Sequence, residues 1–418
     1  MVGLAAIGLA HGSDSAQALF SDLIHRWHYA GLLVTPLGFG VVVWLTQRFF
    51  PGTQGSGIPQ AIAARELKNQ EDRAKLVGAR SAIGKVLMTL FGLLVGASTG
   101  REGPTVQVGA AIMFLCGKIS PRRQAGLILA GAAAGVAGAF NTPLAGIVFA
   151  IEEMSRSFEI KTSNLILSTV ILAGFTSLIL MGNYTYFGVS HDVLHFGPGW
   201  LAVPLCGLAG GLLGAVFASI MLHIPRAIPG KIGQTIGKHP VAFAVVCGLV
   251  VAFCGLVTNG ATNGTGYLYA KGALSGSHTL ALIYTPLKFL ATIASTASGL
   301  PGGIFSPSLS VGAGLGADIA GLFPHVPLST IVLLGMVAYF TGVTQAPITG
   351  FVIVMEMTDN SDMLLPLMAT AMIAQFAAKR ICKEGVYHAQ AKLFLASFAS
   401  EQPKPKPRAT LPPAADTV

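Results

Sequence analysis

The stretch "ASTGREGPTVQVG" at residues 97–109 sets an arginine and a glutamate, Arg101 and Glu102, between two oily runs. The residues before it include "VLMTLFGLLVGAS", and those after Pro104 are apolar again. Proline fits the first turn of a helix, where its missing N–H costs nothing. Gly100 and Gly103 allow a tight backbone beside it. The stretch therefore predicts a helix beginning near Glu102 inside an apolar layer. The opening N–H groups of such a helix have no intrahelical acceptor. Together they carry roughly half a positive charge, which suits an anion.

Composition supplies the apolar layer. Of 418 residues 52% are hydrophobic and only 10% are charged, and the mean hydropathy is +0.67. Soluble domains carry about 25% charged residues, so the chain reads as an integral membrane protein. Its 52 glycines favour packed helices over a barrel, and no alternation of polar and apolar residues marks barrel strands. The net charge of +9 raises nucleic acid as a partner. The basic residues lie in loops between apolar runs, however, which is the pattern of cytoplasmic loops. Nucleic acid is therefore excluded and the lipid bilayer is the expected surroundings. Cys116, Cys206, Cys247, Cys254 and Cys382 form no CxxC pair, so no metal or cofactor is expected. The opening "MVGLAAIGLAHGSDS" lacks the positive n-region of a signal peptide.

Apolar runs follow one another between about residues 29 and 378. Several are shorter than the ~20 residues needed to span a bilayer, or are broken by Gly and Pro. Irregular backbone at membrane depth is tolerated only where it is buried in protein or lines a cavity. A transporter-like interior is expected, in one transmembrane domain over 1–400. The polar, Pro-rich tail at 401–418 is expected to be disordered.

An internal repeat organises that domain. "KVLMT" at Lys85 matches "KFLAT" at Lys288, and 19 residues after each lysine stands a proline, Pro104 or Pro307. "GREGPTVQVGA" lies over "GIFSPSLSVGA", and "TPLAGIVFAIEEM" over "APITGFVIVMEMT", at an offset of about 203–204. "GSG" at Gly55 has a looser echo in "GTG" at Gly264. The repeats run roughly over 1–185 and 199–378, with a C-terminal helix at 379–400. Equivalent loops differ in charge: 65–80 and 117–124 are basic, whereas 268–284 has one lysine and 321–328 has neither lysine nor arginine. Parallel repeats would share the bias. Opposite bias implies inverted topology with the first-half loops cytoplasmic. The predicted fold is an all-α polytopic membrane protein of two inverted-topology repeats with broken, re-entrant helices.

Inversion brings a second helix start, Gly303-Ile304-Phe305-Ser306-Pro307, towards Gly100-Arg101-Glu102-Gly103-Pro104. Gly55-Ser56-Gly57-Ile58-Pro59 has the same grammar: a glycine turn, a hydroxyl, then proline opening a helix. Three helix starts at one place form an anion site without a full positive charge, weak enough to release its ion. Ionised, Glu102 can occupy that site. Protonated, it loses its attraction to the N–H groups and can swing away, so one residue serves as gate and proton carrier. The alternative is a buried acid paired with Arg101. Glu152 has a twin in Glu356, so a structural role at a helix end is expected. Glu153 is matched by Met357 and has no twin. It reads as a second proton group off the anion path, or as a solvated helix-end acid. Lys85 and Lys288 read as electrostatic background for the anion, against snorkelling or structural pairing. "GASTG" fits the nucleophile elbow and nominates Ser98 of an intramembrane serine hydrolase, without a strand–turn–helix context.

"GSGIP", "GREGP" and "GIFSP" resemble the three signature motifs of the CLC family of chloride channels and chloride/proton antiporters, and the resemblance covers nearly the whole chain. It implies a homodimer with one anion pathway per subunit. It also implies chloride contacts from the Ser56 hydroxyl and the Ile304 and Phe305 N–H groups, and an external gate at Glu102. Tyr387 in "KEGVYHAQ" matches the tyrosine completing the central chloride site, the alternative being an interfacial belt tyrosine. Glu153 matches the internal proton-transfer glutamate. Serine at 56, not proline, is similar to the chloride-selective members. No CBS domains follow the helices, as in short prokaryotic members, and the chain starts inside what is usually a longer first helix. The implied function is exchange of chloride for protons across a prokaryotic inner membrane. The alternatives are a passive chloride channel and a fluoride/proton antiporter.

Overall fold

The computed structural model describes residues 1–117, 123–155, 160–182, 184–227, 238–277 and 282–401. Of the tail expected to be disordered over 401–418, Glu401 ends the last helix and 402–418 lie outside the described residues, as do 118–122 of the basic 117–124 loop and residues 156–159. The first half contains α1 (Val2–Arg26), α2 (Gly31–Phe49), α3 (Ile58–Glu66), α4 (Gln70–Val77), α5 (Ala79–Leu94), α6 (Glu102–Cys116), α7 (Gln124–Phe140), α8 (Pro143–Phe149) and α9 (Ile160–Met181). A π-helical turn, Ala150–Ser155, continues α8. The second half contains α10 (Ala202–Ala227), α11 (Pro240–Val257), α12 (Tyr267–Leu274), α13 (Tyr284–Ala297), α14 (Phe305–Ala320), α15 (Leu328–Thr344), α16 (Pro347–Thr358), α17 (Leu364–Ile381) and α18 (Val386–Glu401). The described residues hold no strand, only an isolated bridge.

Length sorts the helices into two populations. Six stretches are long and apolar enough to cross a bilayer: Gly31–Phe49, Gln70–Leu94, Asn164–Met181, Pro198–His223, Pro240–Val257 and Ser361–Ile381. Their apolar side chains include exposed Leu172, Ile179, Phe253 and Phe376. Helices α6 and α14, of 15 and 16 residues, are too short to cross. They are buried inside instead, against α7 and α15, and every residue of α15 from Ser329 to Thr344 is buried. Glycine permits the close approach. A β-carbon on Gly312 would lie 2.6 Å from Gly335 O, and Gly109 meets Gly131 O in the same way. The run at 207–214 packs similarly, Gly214 against the Tyr339 carbonyl and Gly211 against Ala374.

The halves meet through reciprocal contacts. Gly100 N donates to Gly303 O at 2.6 Å, and Gly303 N donates back to Gly100 O at 2.7 Å. Glu152 accepts from Ile348 N at 3.1 Å and Thr349 N at 2.6 Å. Its twin Glu356 accepts from Leu144 N at 3.1 Å and Ala145 N at 2.8 Å. Each carboxylate thus caps the Pro-opened helix of the other half, satisfying N–H groups that a helix start leaves over. When residue i contacts j′ and i′ contacts j, a two-fold relation is at work. The Gly100–Gly303 and Glu152–Glu356 contacts have this reciprocal form. Helices α7 and α15 even end alike, on left-handed Asn141 (φ 56°) and Gln345 (φ 59°).

The C-terminal helix differs from its expected bounds of 379–400. Residues up to Ile381 complete α17, extended Cys382 ends it, and α18 starts at Val386 after a turn through Gly385. That turn packs Gly385 onto the Thr344 carbonyl, where a side chain has no room.

Candidate functional site

The three glycine motifs are bonded to one another. Besides the Gly100–Gly303 pair, Gly302 N donates to Gly55 O at 3.0 Å and the Thr99 hydroxyl to Gly303 O at 3.0 Å. A β-carbon on Gly103 would lie 2.6 Å from Ser56 O and 3.2 Å from the Gly303 Cα. Left-handed Gly57 (φ 104°) opens α3 against Gly103 O and Gln107. Any larger residue would separate the starts of α3, α6 and α14. Convergence of Ser56, Glu102, Ile304 and Phe305 therefore follows from the small residues around them.

Glu102 is buried at the start of α6, and its carboxylate reaches the start of α14. The Ser306 hydroxyl donates to Oε1 at 2.6 Å, and Ser306 N points at Oε2 from 3.4 Å. Arg101 turns elsewhere: its Nη1 donates to Ala10 O at 2.7 Å and pairs with Asp14 at 2.6 Å, both on α1. The alternative of a simple Arg101–Glu102 pair is therefore set aside. The Phe305 ring packs on Phe340 (4.3 Å between centroids) and Phe140 (5.0 Å), fixing the first turn of α14 in an apolar setting.

Tyr387, on the first turn of α18, is fully buried, which excludes an interfacial belt position. Its hydroxyl is near enough to Ser56 to interact with it, yet both hydroxyls lack a hydrogen-bond partner in the protein. Helix α18 packs on α3, so the two hydroxyls come from facing helix starts. A buried hydroxyl left unsatisfied costs about 1–3 kcal/mol, and two side by side form a donor pair for an anion.

Glu153 is buried in the π-helical turn. The wider turn separates the consecutive acids: Glu152 caps α16, whereas Glu153 Oε1 lies 3.8 Å from His388 Nε2. Such turns cluster at functional sites. The equivalent stretch of α16 is regular helix and carries Met357. Arg65, from the last turn of α3, donates to Met154 O at 3.0 Å and ties this turn to the anion motif.

The two lysines take the structural role. Both are fully buried. Lys85 Nζ donates to Thr53 O at 2.5 Å and Gly55 O at 2.8 Å, and Lys288 Nζ to Thr262 O and Gly264 O, each at 2.9 Å. Each ammonium holds the glycine turn that precedes α3 or α12. Lys288 also donates to Ser98 Oγ at 3.0 Å. Three oxygens thus surround Nζ, two of them backbone carbonyls. The nucleophile elbow that "GASTG" would need has no strand to build it among the described residues.

Sequence reading missed Asp14, His388 and Gln17. Gln17 Oε1 accepts from Thr265 N at 2.9 Å and from its hydroxyl at 3.2 Å, filling the second-half counterpart of the Ser56 turn with a protein oxygen. The only available signal for His388 was its position directly after Tyr387.

Residues 38–379 match the family model for the voltage gated chloride channel. The chain belongs to that family. As a member it is an integral, multi-pass membrane protein. It is 30% identical over 425 residues to the H(+)/Cl(-) exchange transporter ClcA of Yersinia pseudotuberculosis serotype IB (strain PB1/+), covering 93% of this chain and 84% of that protein. The ClcA of Yersinia pestis is also 30% identical, over 426 residues with the same coverage. The family fold is seen in a slow cyanobacterial Cl-/H+ antiporter (TM-score 0.80, 24% identity, 94% of this chain and 95% of that one). It is seen again in a CLC-type fluoride/proton antiporter (TM-score 0.78, 24% identity, 93% and 95%).

Proposed function

We propose that the chain exchanges chloride for protons across a membrane. The observation that carries this is the Glu102 carboxylate lying at the start of α14 against Ser306, beside the unsatisfied Ser56 and Tyr387 hydroxyls. A carboxylate and a chloride ion ask for the same N–H and O–H donors. In this reading the Ile304 and Phe305 N–H groups, Ser56 and Tyr387 receive chloride, and Glu102 competes with it from outside. Protonation removes the competitor, so ion entry and proton uptake are linked at one residue. Glu153 serves the inner side by a route that does not pass through the anion. Arg65 opens the basic 65–80 segment and donates to the turn that bears Glu153, which supports a cytoplasmic position for this carboxylate.

The same reading has the repeats, roughly 1–185 and 199–378, inserted with opposite topology in a prokaryotic inner membrane. Two copies form a dimer with one pathway each, as the family resemblance implies. Coupled flux in liposomes separates exchange from passive conduction. An exchanger moves protons against their gradient when chloride runs down its own, and a channel does not.

A further inference from the structure

Helix α18 opens with Val386-Tyr387-His388, and its two rings reach different groups. Tyr387 stands beside Ser56, whereas His388 Nε2 lies 3.8 Å from Glu153 Oε1. Both members of the second pair are nearly enclosed, with 11% of the His388 side chain and 4% of the Glu153 side chain exposed. A carboxylate so covered meets little water directly. Some path must bring it protons if it is to serve a transport cycle.

We propose that His388 is the residue that collects protons on the inner side and hands them to Glu153. The proposal rests on the reading of Glu153 as the internal proton-transfer group. In the transfer, the Nε2–H bond of the imidazolium breaks and an O–H bond forms on Oε1. The pair passes from ionic to neutral, nothing is oxidised or reduced, and His388 is left as an imidazole ready to be protonated again. Glu153 then carries the proton inward. An ordinary imidazole is protonated about one time in four at pH 7, an ordinary glutamate about one time in five hundred. The pair therefore loads far more often at neutral pH than the carboxylate alone.

Among the described residues, the neighbouring charged groups do not offer the same service. Arg65 donates to Met154 O and keeps its protons. Glu152 is held by the Ile348 and Thr349 N–H groups. Lys392, one turn along α18, is paired with Glu384. Tyr387 is a buried phenol and keeps its proton at neutral pH. Of these groups, His388 alone carries an imidazole, the side chain suited to proton exchange near neutral pH.

The test is simultaneous proton and chloride flux in liposomes, at symmetric pH 7 and symmetric pH 4.5, for the wild type, His388→Ala, His388→Gln and Glu153→Gln. We expect both histidine variants to lower the proton-to-chloride ratio about tenfold at pH 7. At pH 4.5, where a glutamate protonates unaided, the ratio should return to within about twofold of wild type. A purely structural histidine would depress both fluxes together and leave the ratio alone. If His388→Ala does not fold, His388→Gln, which keeps size and polarity, decides. A wild-type ratio at pH 7 in the histidine variants, or a deficit that persists at pH 4.5, overturns the proposal while an uncoupled Glu153→Gln leaves its parent reading standing. A fully coupled Glu153→Gln removes both.

Discussion

The Ser306 hydroxyl donates to Glu102 Oε1 at 2.6 Å, so the carboxylate that begins α6 lies at the start of its two-fold mate, α14. A helix start attracts negative charge and has no such hold on a neutral acid. Glu102→Ala and Glu102→Gln should therefore still pass chloride while proton movement falls to the background of empty liposomes. Uphill proton pumping by Glu102→Ala would remove the gating assignment.

Ser56 and Tyr387 present buried hydroxyls with no protein partner. Ser56→Pro takes one donor from the anion, worth about 1 kcal/mol net, or roughly a fivefold change in relative affinity. Chloride preference over nitrate should weaken by that order in anion-exchange flux or bi-ionic measurements. Unchanged relative permeability would put Ser56 outside the site.

Glu152 and Glu153 are adjacent in sequence and part company in space, one capping α16 and one facing His388. Glu153→Gln should abolish proton transport with Glu102 intact. Glu152→Gln gives up charge-assisted bonds worth about 1.5–3 kcal/mol. It should lower thermal stability or dimer yield in detergent without changing the proton-to-chloride ratio. Glu356→Gln should behave as Glu152→Gln does, because it makes the equivalent contacts to the other half. A selective loss of coupling in Glu152→Gln would contradict the division of roles.

Lys85 and Lys288 hold equivalent glycine turns by their ammonium groups. Lys85→Met and Lys288→Met each strand buried carbonyls at about 1–3 kcal/mol apiece. Both should cut the yield of folded protein, read by size-exclusion chromatography. Full yield from either variant would return the lysines to a purely electrostatic part.

Much of this arrangement was legible in the sequence where the signal was local or duplicated. Pro104 and Pro307 marked helix starts because proline has one comfortable place in a helix. The Glu152–Glu356 match pointed to a structural pair because the constant offset made the twin visible. The partners of these groups were not legible. Arg101 finds Asp14 on α1, and Glu153 finds His388 on α18, through packing between distant segments that leaves no periodicity in either one. The π-helical turn was invisible as well: "AIEEMS" reads as ordinary helix, and no residue in it marks the extra width. The lysines were misread in emphasis. A buried cation near an anion site suggests attraction, whereas their protons are directed at backbone carbonyls.

The central claim, exchange of chloride for protons, is tested most directly with purified protein in liposomes loaded with high chloride and diluted into low chloride at equal pH. Outward chloride movement should drive protons inward against the gradient that builds up, and the signal should collapse on adding a protonophore. Chloride efflux at a comparable rate with no uphill proton movement would contradict the account and leave a passive channel on the same fold.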